Sequence, residues 1–325
     1  MPPKEFTHSM KEEHGTTGNQ SSSTQSWTSD KHSGRLGRLL LSAVVLVICF
    51  SMPLVHLVQF AVTAEFHSYI LLVPFVSFYL VWLRRQSFSD PSEPVPQRAV
   101  VPLVAGTTAL VGWWFSVHSA GKLTEDDVLA LITLSFVLFF TGVCCLFLGK
   151  ETLRAIVFPI GFLFFMVPFP TFLRDGVMTF LQHGSAAMAY WLFQLSGMPV
   201  FRHDMGLELP GFSMEVAPEC SGIQSSLVLF LTSLLAGHLF LRTPWKRAVL
   251  AIAVIPLGIL RNAFRIFTIG QLCVHIGPQM IHSAIHVRGG PVFFALSLVP
   301  FFLVLVVLYK SDRAARTIHP KPTGA

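Results

Sequence analysis

Apolar residues fall in long, nearly unbroken runs at about 39–62, 67–83, 100–118, 127–148, 155–173, 222–241, 247–271 and 291–309. Each is close to the ~20 residues that carry a helix across a bilayer core. The pattern therefore predicts an all-α polytopic bundle of about eight transmembrane helices. Residues 174–221 differ. The piece 176–197 is only mildly apolar and holds Gln182, His183, Ser185 and Gln194. The stretch VFRHDMGLELPGFSMEV then alternates in part and carries Pro210-Gly211. That pattern predicts a short extended segment or hairpin.

Basic residues punctuate these runs in clusters: Arg35 and Arg38; Arg84 and Arg85; Lys150 and Arg154; Arg242, Lys246 and Arg247; Lys310, Arg313 and Arg316. With eight crossings every cluster falls on one side, the cytoplasm by the positive-inside rule. A ninth crossing at 176–197 would turn the later clusters outward. That piece is therefore expected to be an interfacial or re-entrant helix on the extracytoplasmic side. Both termini are then cytoplasmic, in the inner membrane of the cell.

Composition agrees, with 52% hydrophobic and 12% charged residues, about half the charge of an average soluble domain. The net charge of +6 belongs to the orienting clusters, so no nucleic-acid partner is expected. Residues 1–36 are polar and expected to be a disordered cytoplasmic tail. Residues 37–310 form the membrane domain and 311–325 a short basic tail. The first apolar run starts far in and is long, so it is expected to be an uncleaved span. The five cysteines, Cys49, Cys144, Cys145, Cys220 and Cys273, form no C-x-x-C. Neither a zinc centre nor any cofactor is expected.

The polar residues inside this apolar chain converge. Cys220 precedes the sixth span, at a helix N-terminus on the expected outer face, where free N–H groups favour a thiolate. Glu219 beside it opposes that charge. Arg261 and Arg265 share a face of the seventh span at i, i+4 spacing, with Asn262 between them. An arginine inside a span marks a functional site by default; the plainer alternative is snorkelling to the headgroups. His282 and His286, also i, i+4, precede the eighth span at the same outer depth. Without an H-E-x-x-H glutamate they point only weakly to metal. Cysteine, histidine and arginine together suit acyl transfer. The thiolate attacks a carbonyl, the histidine moves protons, and the arginine stabilises negative charge. Backbone N–H groups of Ser221 and Gly222 add donors.

These segments resemble the exosortase/archaeosortase family of integral-membrane cysteine transpeptidases. CSGI at 220–223 is similar to the segment of that family's proposed nucleophile, RNAFRI at 261–266 to its N-x-x-R-I element, and HVRGGPVFF at 286–294 to its His-then-Gly element. FHSYILLVPFVSFYLVWLRR at 66–85 and VPFPTFL at 167–173 also fit. The resemblance covers about residues 60–310. It implies Cys220 as nucleophile, Arg265 as the stabilising arginine and His286 as general acid/base, with His282 as alternative. Ser221, Gly222, Asn262 and Arg261 would then border the substrate. Gln224 stands where the family often has a basic residue. The implied substrates are membrane-anchored proteins with a C-terminal sorting tail, made of a short motif, a transmembrane helix and a basic cluster. The family is often associated with exopolysaccharide production. Two other readings fit parts of the pattern: a secondary transporter, and an exopolysaccharide-assembly membrane acyltransferase that does not use the thiol. No internal repeat and few mid-span acidic or amide groups speak against the transporter.

Overall fold

The structure, a computed structural model, describes residues 20–63, 65–85, 96–118, 123–216, 221–282 and 289–318. It is a helical bundle with one small sheet. The helices are α1 (Gln20–Cys49), α2 (Ser51–Thr63), α3 (Leu72–Leu83), α4 (Gln97–His118), α5 (Glu125–Phe147), α6 (Lys150–Leu163), α7 (Thr171–Leu195), α8 (Ile223–Phe240), α9 (Pro244–His275) and α10 (Gly290–Ile318). Strands β1 (Phe201–His203), β2 (Gly206–Leu209) and β3 (Phe212–Glu215) lie between α7 and α8. α1 thus begins inside the stretch expected to be a disordered tail, and α10 continues past residue 310.

By length and composition, five to seven of the eight expected spans are shown among the described residues. Five helices, α4, α5, α8, α9 and α10, are long and apolar enough to cross a membrane, and up to seven spans result if two bent pairs each count as one. The first run, 39–62, breaks between α1 and α2 with a bend of 68°. Pro53 lies in the first turn of α2. Its ring collides with the carbonyl four residues back, Cys49, where α1 ends. The run 155–173 breaks between α6 and α7 with a bend of 90°. Here Pro168 and Pro170 remove two N–H donors, and a proline disfavours helix in the residue before it. Val167 is extended accordingly, at φ −73°, ψ 122°. The run 67–83 forms a 3-10 turn leading into α3, a shorter apolar helix.

Helix pairs define two ends. α8 and α9 are antiparallel, since Gly258 faces Ser226 and Gly237 faces Arg247. α10 is antiparallel to α9, with the Phe264 and Phe293 rings 6.3 Å apart and Lys246 Nζ 3.4 Å from Asp312 Oδ1. α6 is antiparallel to α8, Phe158 stacking on His238 and Phe165 meeting Phe230. Arg84, after α3, hydrogen-bonds His238 at 3.3 Å. The basic residues around 84, 242–247 and 310–313 therefore share one end of the bundle. At that end Asp312, 3% exposed, accepts from Arg242 N at 3.1 Å and from the Thr243 hydroxyl. Lys246 lies against it, 4% exposed.

The other end holds the start of α5, the α6–α7 break, the sheet and the start of α8. Thr124 caps α5 by accepting from Asp127 N. Its acidic first turn, Glu125 to Asp127, suits the positive end of the helix dipole. The same turn holds α7. Asp127 Oδ1 accepts from Thr171 N at 2.7 Å, and Asp126 Oδ2 pairs with Arg174 at 2.7 Å. α7 then lies against α9, with Gly184 on Ile259 and Phe193 on Gly270.

The segment read as extended forms a three-stranded antiparallel sheet in the order β1-β2-β3. The expected turn at Pro210-Gly211 joins β2 to β3, with Gly211 at φ +75°. Leu207 and Leu209 pack with Phe193, Val216, Ala263 and Ile266 into a buried cluster. This cluster seats the sheet on α7 and α9, just ahead of the chain that enters α8.

Candidate active site

The described site lies where α8 starts against α9. Gly222 precedes α8 in the left-handed conformation, φ 71°, ψ 16°, which glycine adopts without the Cβ penalty. Space demands glycine too. A Cβ there would stand 2.8 Å from Arg261 Nη2 and 3.3 Å from the Asn262 amide. Arg261 Nη2 donates to the Gly222 carbonyl at 3.0 Å and to Ser226 Oγ at 3.2 Å. α9 thus grips the first turn of α8 through one guanidinium. Arg261 is 8% exposed and Asn262 2%. The Arg261 Nη1 is enclosed without a hydrogen-bond partner among the described residues. Ser221 is buried, and its Oγ accepts from Ile223 N at 3.4 Å.

Arg265 follows one turn later on α9 and is half-buried. Two guanidinium groups therefore share this face, where like charges repel and an anion or a developing oxyanion would be favoured. Beside them, a cavity of about 300 Å³ opens between α9 and α10, lined by Arg261, Phe264, Phe293 and Ser297 among others.

The chain entering the site is held from two sides. Val216 N donates to Met205 O at 3.1 Å, and buried Gln182 of α7 donates to Val216 O at 2.8 Å. Near the sheet, His183 pairs with Asp204 at 2.9 Å, both exposed.

Of the residues expected to act, Ser221, Gly222, Arg261 and Asn262 meet at this junction, and Arg265 stands one turn away. Cys220 and Glu219 lie outside the described residues, as does His286. His282 closes a 3-10 turn, Pro278–His282; its helical relation to His286 also falls outside. Ser226 and Gln182 were missed as site residues. Both were readable as members of short polar groups, Gln224-Ser225-Ser226 and Gln182-His183, but which of each group would turn inward and what it would meet was not.

The fold is that of a multi-pass helical membrane protein in which one buried arginine, Arg261, grips the start of a neighbouring span. The chain belongs to the transmembrane exosortase family, whose model matches residues 60–303. No curated protein and no solved structure matches it.

Proposed function

We propose that the protein is a cysteine-type peptidase or transpeptidase that cleaves C-terminal sorting tails on the extracytoplasmic face of the inner membrane. The Cys220 thiolate attacks the scissile carbonyl and forms a tetrahedral oxyanion, which Arg265 stabilises. Collapse breaks the C–N bond. His286, or His282 in its place, delivers the proton that lets the amine leave. An acyl-thioester on Cys220 remains, to be taken by water or an acceptor amine. Arg261 and Asn262 hold the backbone at Gly222, two residues from the nucleophile. α7 packs along α9, and the sheet covers the end of the bundle at which α8 begins.

The observation that carries this reading is the Arg261–Gly222 contact of 3.0 Å. It ties the family's Cys-Ser-Gly segment to the helix that bears its arginine element. Membership of the exosortase family supports the reaction class. The gathering of basic residues at the opposite end supports the orientation. The test is Cys220→Ala, with Cys220→Ser beside it, each expressed with a tail-bearing substrate and checked for membrane abundance. Both should leave the substrate uncut; full processing by either at normal abundance removes the thiol from the mechanism.

A further inference from the structure

α1, α3, α5 and α6 line a half-open cavity of about 980 Å³ that shares no lining residue with the arginine-lined cavity. It runs beside α6 from Gly149 to Met166, about 25 Å of helical rise. Of the side chains lining it, only Arg35, Ser77 and Thr152 carry nitrogen or oxygen. Ser77 and Thr152 are 4% and 6% exposed, and the Ser77 hydroxyl is enclosed without a hydrogen-bond partner among the described residues.

One end of the cavity is positive. Arg35 lines it and makes no ion pair among the described residues. Gly149, also in the lining, precedes α6 and offers no side-chain cap, so the start of α6 borders the same cavity as Arg35. A phosphate suits both. Lys150 and Arg154 follow on α6, while Glu151, the acidic residue of that turn, is exposed.

Charge selects the occupant. The slot is half open, so an occupant need not fit wholly inside it. A peptide helix ending in a basic cluster would set its cations against Arg35, whereas a phosphate is attracted there. A methylene group fills about the space of a water molecule, ~30 Å³, so the cavity holds about thirty of them, the two tails of one diacyl lipid.

We propose that this slot binds one anionic diacyl phospholipid, its phosphate on Arg35 and the α6 N-terminus and its tails between α1, α3, α5 and α6. Thr152 donates to the glycerol-ester region near the head, and Ser77 meets an ester or unsaturated chain deeper in. The site is separate from the arginine face and independent of the proposed reaction.

The test uses the full chain, purified in mild detergent and delipidated. Native mass spectrometry then titrates it with dioleoyl phosphatidylglycerol and with dioleoyl phosphatidylcholine. One phosphatidylglycerol per chain is expected, held at least about 10-fold more tightly than phosphatidylcholine: both carry the phosphodiester that Arg35 holds, but choline adds a cation beside Arg35, a repulsion of that order. Arg35→Glu should reduce that preference to within ~2-fold. Ala43→Trp, which fills the slot, should abolish retention of both; Val81→Phe serves if that variant does not fold. Equal affinity for the two lipids overturns the proposal, as does phosphatidylglycerol retention by a folded slot-filled variant. A photo-crosslinker at Ile156 that captures a substrate peptide in cells instead of lipid overturns it in favour of a protein occupant.

Discussion

Arg261 and Gly222 are joined by a 3.0 Å hydrogen bond from guanidinium Nη2 to the glycine carbonyl, at a glycine whose φ is +71°. The bond fixes the turn from which α8 departs and leaves no room for a side chain at 222. Replacing Gly222 by alanine imposes a left-handed alanine, about 1–2 kcal/mol of strain, and pushes its Cβ against Arg261. Shifting reacting groups by ~1 Å can cost on the order of 100-fold in rate. Gly222→Ala should therefore lose processing far more than abundance, measured by substrate cleavage against membrane-inserted protein.

The two arginines should separate by experiment. Arg261 serves α8, so Arg261→Lys gives up a two-acceptor grip that an ammonium does not reproduce. It should lower both the melting temperature and processing. Arg265 is proposed to act on the developing negative charge. Arg265→Lys should lower the rate by about 10²–10³ while moving the melting temperature little. Thermal shift and cleavage on the same preparations check the split. Equal melting losses for both would place Arg265 in the scaffold.

Gln182 holds the chain ahead of Cys220 through the Val216 carbonyl, and both residues are buried. Gln182→Ala leaves that carbonyl unpaired, a cost of about 1–3 kcal/mol. The loosened segment should be cut faster by protease near residues 217–220 in right-side-out or permeabilised membranes. Gln182→Glu, which keeps the size but loses the donor, should behave alike.

At the opposite end, Lys246 and Asp312 face each other at 3.4 Å, 4% and 3% exposed. Lys246→Met leaves the carboxylate buried without its ammonium and should cost about 3–5 kcal/mol. The double variant Lys246→Met/Asp312→Leu should recover much of that loss. Chemical denaturation in detergent compares the two.

The family was legible in the sequence. CSGI, RNAFRI and HVRGGPVFF identify the family because side-chain chemistry in a fixed order survives projection onto a string. The sheet was visible in its alternation and in Pro210-Gly211. The bends within two of the apolar runs were not, because hydropathy measures solvation and says nothing of direction. Pro53, Pro168 and Pro170 lie within apolar runs, and each run reads as one span until the backbone turns. The i, i+4 spacing placed Arg261 and Arg265 on one face, but spacing does not say which guanidinium turns inward. That choice follows from Ser226 and the Gly222 carbonyl, which reach α9 only through the antiparallel packing of α8.

The central claim is that Cys220 carries the acyl group. The direct measurement is intact-mass and peptide-map analysis of the purified protein, acid-quenched during turnover of a sorting-tail substrate. The account predicts a hydroxylamine-labile adduct on Cys220, with the mass of the substrate portion preceding the cut, and no adduct in Cys220→Ala. Cleavage at an unchanged rate by Cys220→Ala, with no adduct on the wild-type thiol, would contradict it.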